Sequence, residues 1–178
     1  DNISLPRMAH IAFVRSPYAH ALIKLIDTTE ADKVEGVIRI ITGTDVAKIC
    51  KPFIAKIDFL PHMISPPQYA LALQETAWQG EAVCGVIAET RALAEEAAEL
   101  VEIVWEELPA VVDLHEALNK EKELVHSSLQ SNLAMEMPIE EGNIEQAFSE
   151  ADIIVEHTFE FGRQAGVALE TRSLVARL

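Results

Sequence analysis

Apolar and polar positions alternate with a period of two along residues 8–14, where His10, Ala12 and Val14 interleave with Ala9, Ile11 and Phe13. This predicts a strand. Arg15-Ser16-Pro17-Tyr18 breaks it, and residues 21–26 read as a second strand interrupted by Lys24. Asp27-Thr28-Thr29-Glu30 has the spacing of a helix cap, so a short helix is expected up to Glu35, with Gly36 ending it in a left-handed conformation. Val37–Ile41 is a β-branched strand, and Gly43-Thr44-Asp45 opens another short helix.

Periodicity then fails. Residues 51–73 carry Pro52, Pro61, Pro66 and Pro67 among Phe, Ile, Met and Leu, which reads as a long loop. Strand character is expected to return in residues 71–78, and an apolar run follows the turn at Gln79-Gly80. In residues 91–101, Leu93, Ala94, Ala97, Leu100 and Val101 share one helical face, with Glu95, Glu96 and Glu99 on the other. Glu102–Glu107 is a strand that alternates around Ile103 and Trp105, and Asp113 caps a short helix over residues 114–119. Residues 120–138 are polar and irregular. Asn143–Gln146 reads as a second cap, with Ile144, Ala147, Phe148 and Ala151 at helical spacing. Residues 153–161 alternate as a strand, and residues 174–176 begin another. Ile11, Phe13, Val37, Ile40, Val83, Val86, Leu93, Ala97, Ile103 and Trp105 are expected to form one core. Phe148, Val155 and Phe159 are expected in a separate cluster.

The 178 residues fit one domain, or one domain and part of another, and 49% hydrophobic content supplies a core. A formal charge of −15 argues against nucleic acid and anionic membrane surfaces as partners, since both select clustered positive charge. No apolar run reaches a membrane span, and the opening residues resemble no signal peptide, so a cytoplasmic location and a cut within a longer chain are expected. Cys50 and Cys84 lack metal-type spacing, and Cys84 lies in an apolar run, the setting of a buried thiol. Iron–sulfur ligation needs about four clustered thiolates, which are absent. His10, His20, His62, His115, His126 and His157 form no helical pair suited to a metal. No Gly-rich phosphate loop and no Gly-x-Ser-x-Gly elbow occurs. His20 reads as a turn residue bonding backbone before it reads as an acid or base. Glu81 is open between a turn charge, an ion pair and a functional carboxylate. The glutamates at 95, 96, 99, 102, 106 and 107 read as a solvated face.

Four segments in order carry a resemblance. They are Leu5-Pro6-Arg7-Met8 with Ala12 to Ala21, including Ser16-Pro17-Tyr18-Ala19-His20; Gly36-Val37 with Thr42-Gly43-Thr44-Asp45; residues 80–109, ending Leu108-Pro109; and Gly142-Asn143-Ile144-Glu145-Gln146-Ala147-Phe148 with Ala151-Asp152. Together they resemble the large subunits of molybdenum hydroxylases, the xanthine dehydrogenase, aldehyde oxidase and carbon monoxide dehydrogenase family. The sequence departs from that pattern at Ala82, where a Pro is usual, at Arg7, where a Gly is common, and at Arg163-Gln164-Ala165-Gly166, where many members have Arg-Gln-x-His. Leu169-Glu170-Thr171-Arg172 also matches a family segment, read here as structural.

The resemblance implies an α+β fold: an α/β-hammerhead domain, a mixed sheet with packed helices, followed by the beginning of the molybdopterin-binding domain. The expected boundaries are 1–125 for the hammerhead, 126–141 for a linker and 142–178 for the truncated start of the second domain. The resemblance implies that the parent inserts water-derived oxygen at a C–H bond of an aldehyde or N-heterocycle. Molybdopterin would be the parent's cofactor, with 2Fe-2S clusters and FAD on other domains or subunits. The partners implied are the remainder of the molybdenum subunit, the iron–sulfur and FAD subunits, and a small-molecule substrate. The cofactor loops and the catalytic glutamate are expected beyond Leu178, so no catalytic, cofactor-binding or metal residue is assigned. Phe53, Phe59, Leu60, Met63 and Ile64 are candidates for the mouth of the substrate channel. A loop that folds back over its own sheet is the plainer reading of those residues. Two other readings of the sequence are a stand-alone non-catalytic binding or assembly module and an acyl-carrier-like swinging domain. The latter needs an exposed Lys in a tight hairpin, which neither Lys24 nor Lys33 provides.

Overall fold

A computed structural model describes residues 3–60, 62–119, 123–162, 164, 166–170 and 172–177. The chain divides into two compact units, one of residues 5–136 and one that includes residues 137–178.

In the first unit six strands form two three-stranded sheets. Strands β1 (His10–Arg15), β5 (Ala82–Ala88) and β3 (Val37–Thr42) form one, with β5 central, and both pairings are antiparallel. Strands β4 (Glu75–Thr76), β2 (Ala21–Asp27) and β6 (Glu102–Glu107) form the other, also antiparallel, with β2 central. Helix α1 (Gly43–Ala47) follows β3. The Asp45 carboxylate accepts from the Thr42 amide and hydroxyl and so closes its first turn. Helix α2 (Arg91–Glu99) starts where Thr90 accepts from the Leu93 amide. Helix α3 (Leu114–Ala117) starts at Asp113, whose carboxylate accepts two amides.

The core lies on one face of the first sheet. Ala31, Val86 and Ala97 are fully buried, with Val34, Val37, Ile40, Ala98 and Val101 packed around them. Gly36, at φ +92°, ends the segment after the 3-10 turn Ala31–Lys33, as its position after Glu35 led one to expect. A Cβ on Gly36 would come within 2.7 Å of Leu93 Cδ1. Asp27 does not cap a helix; its carboxylate accepts from the Thr29 amide in a local turn, and the helical residues are Ala31–Lys33. Strand character in residues 71–78 shrinks to Glu75–Thr76.

Five core expectations are corrected. Ile11 and Phe13 are 45% and 44% exposed, whereas Ala12 opposite Val86 shares the buried face. Helix α2 buries Ala94 and Ala97 at 0%, so it presents small side chains, and bulk on β1 falls on the other face. Leu93 is only half-buried. Ile103 and Trp105 are half-buried on the second sheet, where Trp105 meets Tyr18 edge-on at 5.9 Å between ring centroids.

In the second unit, helix α4 (Ile144–Glu150) begins at Asn143, whose side chain accepts from the Gln146 amide after Gly142 turns at φ +72°. Residues 153–161 are not a strand. Among the described residues no segment pairs with them, and alternation alone forms no ladder without a neighbour. Residues 174–176 are likewise outside any strand. Phe148, Val155 and Phe159 are exposed and build no cluster; Phe159 instead meets the His157 ring at 4.8 Å. Arg163, Ala165 and Thr171 lie outside the described residues.

Candidate functional site

The loop between α1 and β4 is closed at its base by a pair of backbone bonds between Phe53 and Gln68, each 2.8 Å. Ala55 N donates to Ser65 Oγ at 3.1 Å just above it. Two turns shape the outer half, Leu60 N to Ile57 O and Met63 N to Leu60 O. The candidate residues divide here. Phe53 is 66% and Phe59 75% exposed, and Ile64 is exposed too, whereas Leu60 and Met63 are half-buried. Ile54 and Ile57 add further exposed apolar surface. The exposed ones, Phe53, Ile54, Ile57, Phe59 and Ile64, make this loop an apolar wall open to solvent, the opposite of what burial alone would select.

The loop leads into β4, where Glu75 meets His20. The turn Ser16-Pro17-Tyr18 is locked by the Ser16 hydroxyl, which accepts from the Tyr18 amide and from Thr76 Oγ1. His20 follows it, nearly buried. Its Nδ1 donates to the Pro109 carbonyl at 2.7 Å, and its Nε2 faces Glu75 Oε1 at 2.9 Å. Glu75 also accepts from Ser127, through the amide at 3.2 Å and through the hydroxyl. Burial works to raise the Glu75 carboxyl, but the bonds from Ser127 and His20 outweigh it and hold the group below its ordinary value. Burial also lowers His126, with Glu75 opposing and His20 adding to the shift. His20 thus bonds backbone, as its place in a turn suggests, and a carboxylate as well. Glu75 and Ser127 carry no local signal: they lie 55 and 107 positions from His20, and only the fold joins them.

Glu81 is not a free turn charge, and among the described residues it forms no ion pair. Its carboxylate accepts from the Ala77 amide at 2.8 Å, and burial raises it. The turn it closes is tied to β1, since Arg15 donates to the Gly80 carbonyl at 2.8 Å. The glutamates of α2 and β6 are exposed, and Glu106 pairs with Lys24.

Among the described residues no three His, Cys, Asp or Glu side chains converge. Cys84 is buried, and burial pushes its thiol up to about 11, so it is not the thiolate that ligation needs. No helix among the described residues is long and apolar enough to cross a membrane.

The chain is similar to several known proteins. A family model for the a/b hammerhead domain of aldehyde oxidase and xanthine dehydrogenase matches residues 1–109. A model for a molybdopterin cofactor-binding domain matches residues 125–178. The 6-hydroxypseudooxynicotine dehydrogenase complex subunit gamma of Paenarthrobacter nicotinovorans is 32% identical over 99% of this chain and 22% of its own length. The carbon monoxide dehydrogenase large chain of Afipia carboxidovorans is 30% identical over the whole of this chain and 23% of its own. Among solved structures, the aldehyde oxidoreductase of Desulfovibrio gigas superposes with a TM-score of 0.74 at 30% identity, over 84% of this chain and 16% of that one. The chain spans about a fifth of the length of these two curated relatives.

Proposed function

Since this chain belongs to the aldehyde oxidase and xanthine dehydrogenase family, we propose that it works as the hammerhead part, with the start of the cofactor-binding domain, of a molybdenum hydroxylase large subunit. The parent would hydroxylate an aldehyde or an electron-poor N-heterocycle with oxygen derived from water. Molybdopterin would be held by residues outside this chain, and electrons would leave through 2Fe-2S and FAD centres on other domains or subunits. A cytoplasmic location is consistent with the acidic composition. Residues 1–125, 126–141 and 142–178 serve as hammerhead, connection and cofactor-domain start in this reading.

The chain's own part is structural. Phe53, Phe59, Leu60, Met63 and Ile64 shape the substrate entrance, and the remaining exposed apolar groups meet the rest of the subunit. The observation that carries this is the outward apolar wall of the loop, with Phe59 75% exposed on a base pinned by paired backbone bonds. A rigid base with apolar side chains above it can sort molecules by size without touching the chemistry.

The test is made in the full-length, cofactor-loaded enzyme. Phe59→Ala is expected to change the ratio of kcat/KM between acetaldehyde and benzaldehyde, or between pyridine and quinoline, with the melting temperature unchanged. Equal losses for both members of a pair, with a lowered melting temperature, would mean that the loop is packing alone.

A further inference from the structure

Residues 123–134 form a strap held at several points. Asn132 closes it on itself: its Oδ1 accepts from the Val125 amide at 2.8 Å, and its Nδ2 donates to the Glu123 carbonyl at 2.9 Å. The same Nδ2 reaches the Ala117 carbonyl of α3 at 3.1 Å. Ser127 fastens the strap to Glu75 on β4. At its far end, the Ala134 carbonyl accepts from the Ile64 amide at 2.7 Å.

That last bond matters for the apolar loop. Below residue 56 the loop is held by the Phe53–Gln68 pair and by Ser65. Above it, the turns at 57–60 and 60–63 bond the loop only to itself. Among the described residues, the backbone bond tying this outer half to another element is Ile64 to Ala134. Phe59 and Ile64 are exposed, so burial of apolar surface does little to fix them.

We infer that Glu75, Ser127 and Asn132 are positioning residues for the apolar wall: held by His20, Glu75 seats the strap through Ser127, Asn132 keeps the strap closed, and Ala134 sets where the outer half of the loop stands. The inference rests on the reading that this loop shapes the substrate entrance. His20 gives the chain of contacts a rigid origin, because its other ring nitrogen is fixed on the Pro109 carbonyl.

The experiment uses full-length enzyme and two readouts. Amide exchange at Ile64 is expected to speed up about tenfold in Ser127→Ala and in Asn132→Ala, the scale of one net hydrogen bond, with Phe53 and Gln68 unchanged. Ser127→Thr, which keeps the hydroxyl, restores slow exchange. Arg91→Ala on α2 leaves it slow throughout. In the same variants the kcat/KM ratio of benzaldehyde to acetaldehyde shifts while melting temperature holds. Unchanged exchange at Ile64 overturns the inference and leaves the entrance reading standing. Faster exchange with no shift in the ratio also overturns it, because the strap then holds the loop without positioning it for substrate. If the unmutated enzyme turns over neither aldehyde nor pyridine nor quinoline, the functional reading fails. The exchange arm then decides by itself whether the strap sets the loop.

Discussion

His20 Nε2 and Glu75 Oε1 stand 2.9 Å apart, although one residue lies just before β2 and the other in the short edge strand β4. This contact joins the Ser16-to-His20 turn, the segment after β6 at Pro109 and the strap at Ser127. The ladder of β4 with β2 is only two residues long and the strap is irregular, so side-chain bonds add to what holds this corner.

The node should make stability depend on pH. His126 is lowered by burial from an ordinary value of 6.5, so the folded form binds fewer protons than the unfolded one just below that pH. Its contribution is fully present above 6.5 and is lost as pH falls through the lower folded value. Glu75 behaves in the same sense further down, starting from 4.5. Glu81, raised from its ordinary value, acts in the opposite sense there. Denaturant midpoints should therefore decline from pH 7 towards pH 5, and His126→Gln should flatten that slope. An unchanged slope in the variant would remove His126 from the account.

Arg7 has φ +60°, the left-handed region where a side chain is strained. It is also the position where the family pattern commonly has Gly. Arg7→Gly is expected to raise stability by up to about 1 kcal/mol, the left-handed penalty less the extra entropy of a glycine. Urea denaturation measures it, and a lower midpoint would show that the arginine makes compensating contacts.

Gly36 is the opposite case. Gly36→Ala places a Cβ at φ +92° and 2.7 Å from Leu93 Cδ1, so it is expected to cost about 1–3 kcal/mol. Adding Leu93→Ala should recover part of that loss if the contact contributes, and none if backbone strain is the whole effect.

Val86→Ala removes fully buried methyl groups beside Ala31 and Ala97, and about 2 kcal/mol should be lost. Ile11→Ala on the outer face should cost less, because Ile11 is nearly half exposed. Comparing the two thermal midpoints checks which side of the first sheet is the core.

Much of the first unit was legible because strand alternation and helix caps are local. Strands β1, β2, β3, β5 and β6 and helix α2 lie where period and punctuation put them, with ends differing by a residue or two. The inward face of β1 was not legible, because both of its faces are apolar. What decides it is the small-residue surface of α2, Ala94 and Ala97, which lies far along the chain. The strand expected at 153–161 shows the limit of period counting, since alternation records the wish for a neighbouring strand and cannot supply one. The site was half visible. His20 stands out in its turn and the loop stands out by its prolines. Glu75, Ser127 and Asn132 are ordinary polar residues until folding brings them together.

The pinning of the loop at both ends has a consequence for how the domain can diversify. Gly43 approaches the Ala72 carbonyl so closely that an added Cβ would stand 2.1 Å from its oxygen, and Ala72 N bonds Ala82 O at 2.8 Å. The exit from β3 and the approach to β5 are thus locked together across the base of the excursion, with the Phe53–Gln68 pair as a second lock above. What lies between, residues 54–67, is a cassette. Its length and side chains can be exchanged at the modest entropic cost of loop closure, without disturbing either sheet. Grafting this stretch from a relative of different selectivity, with Ala134 left free to receive an amide from the new loop, would be the economical way to redesign the entrance.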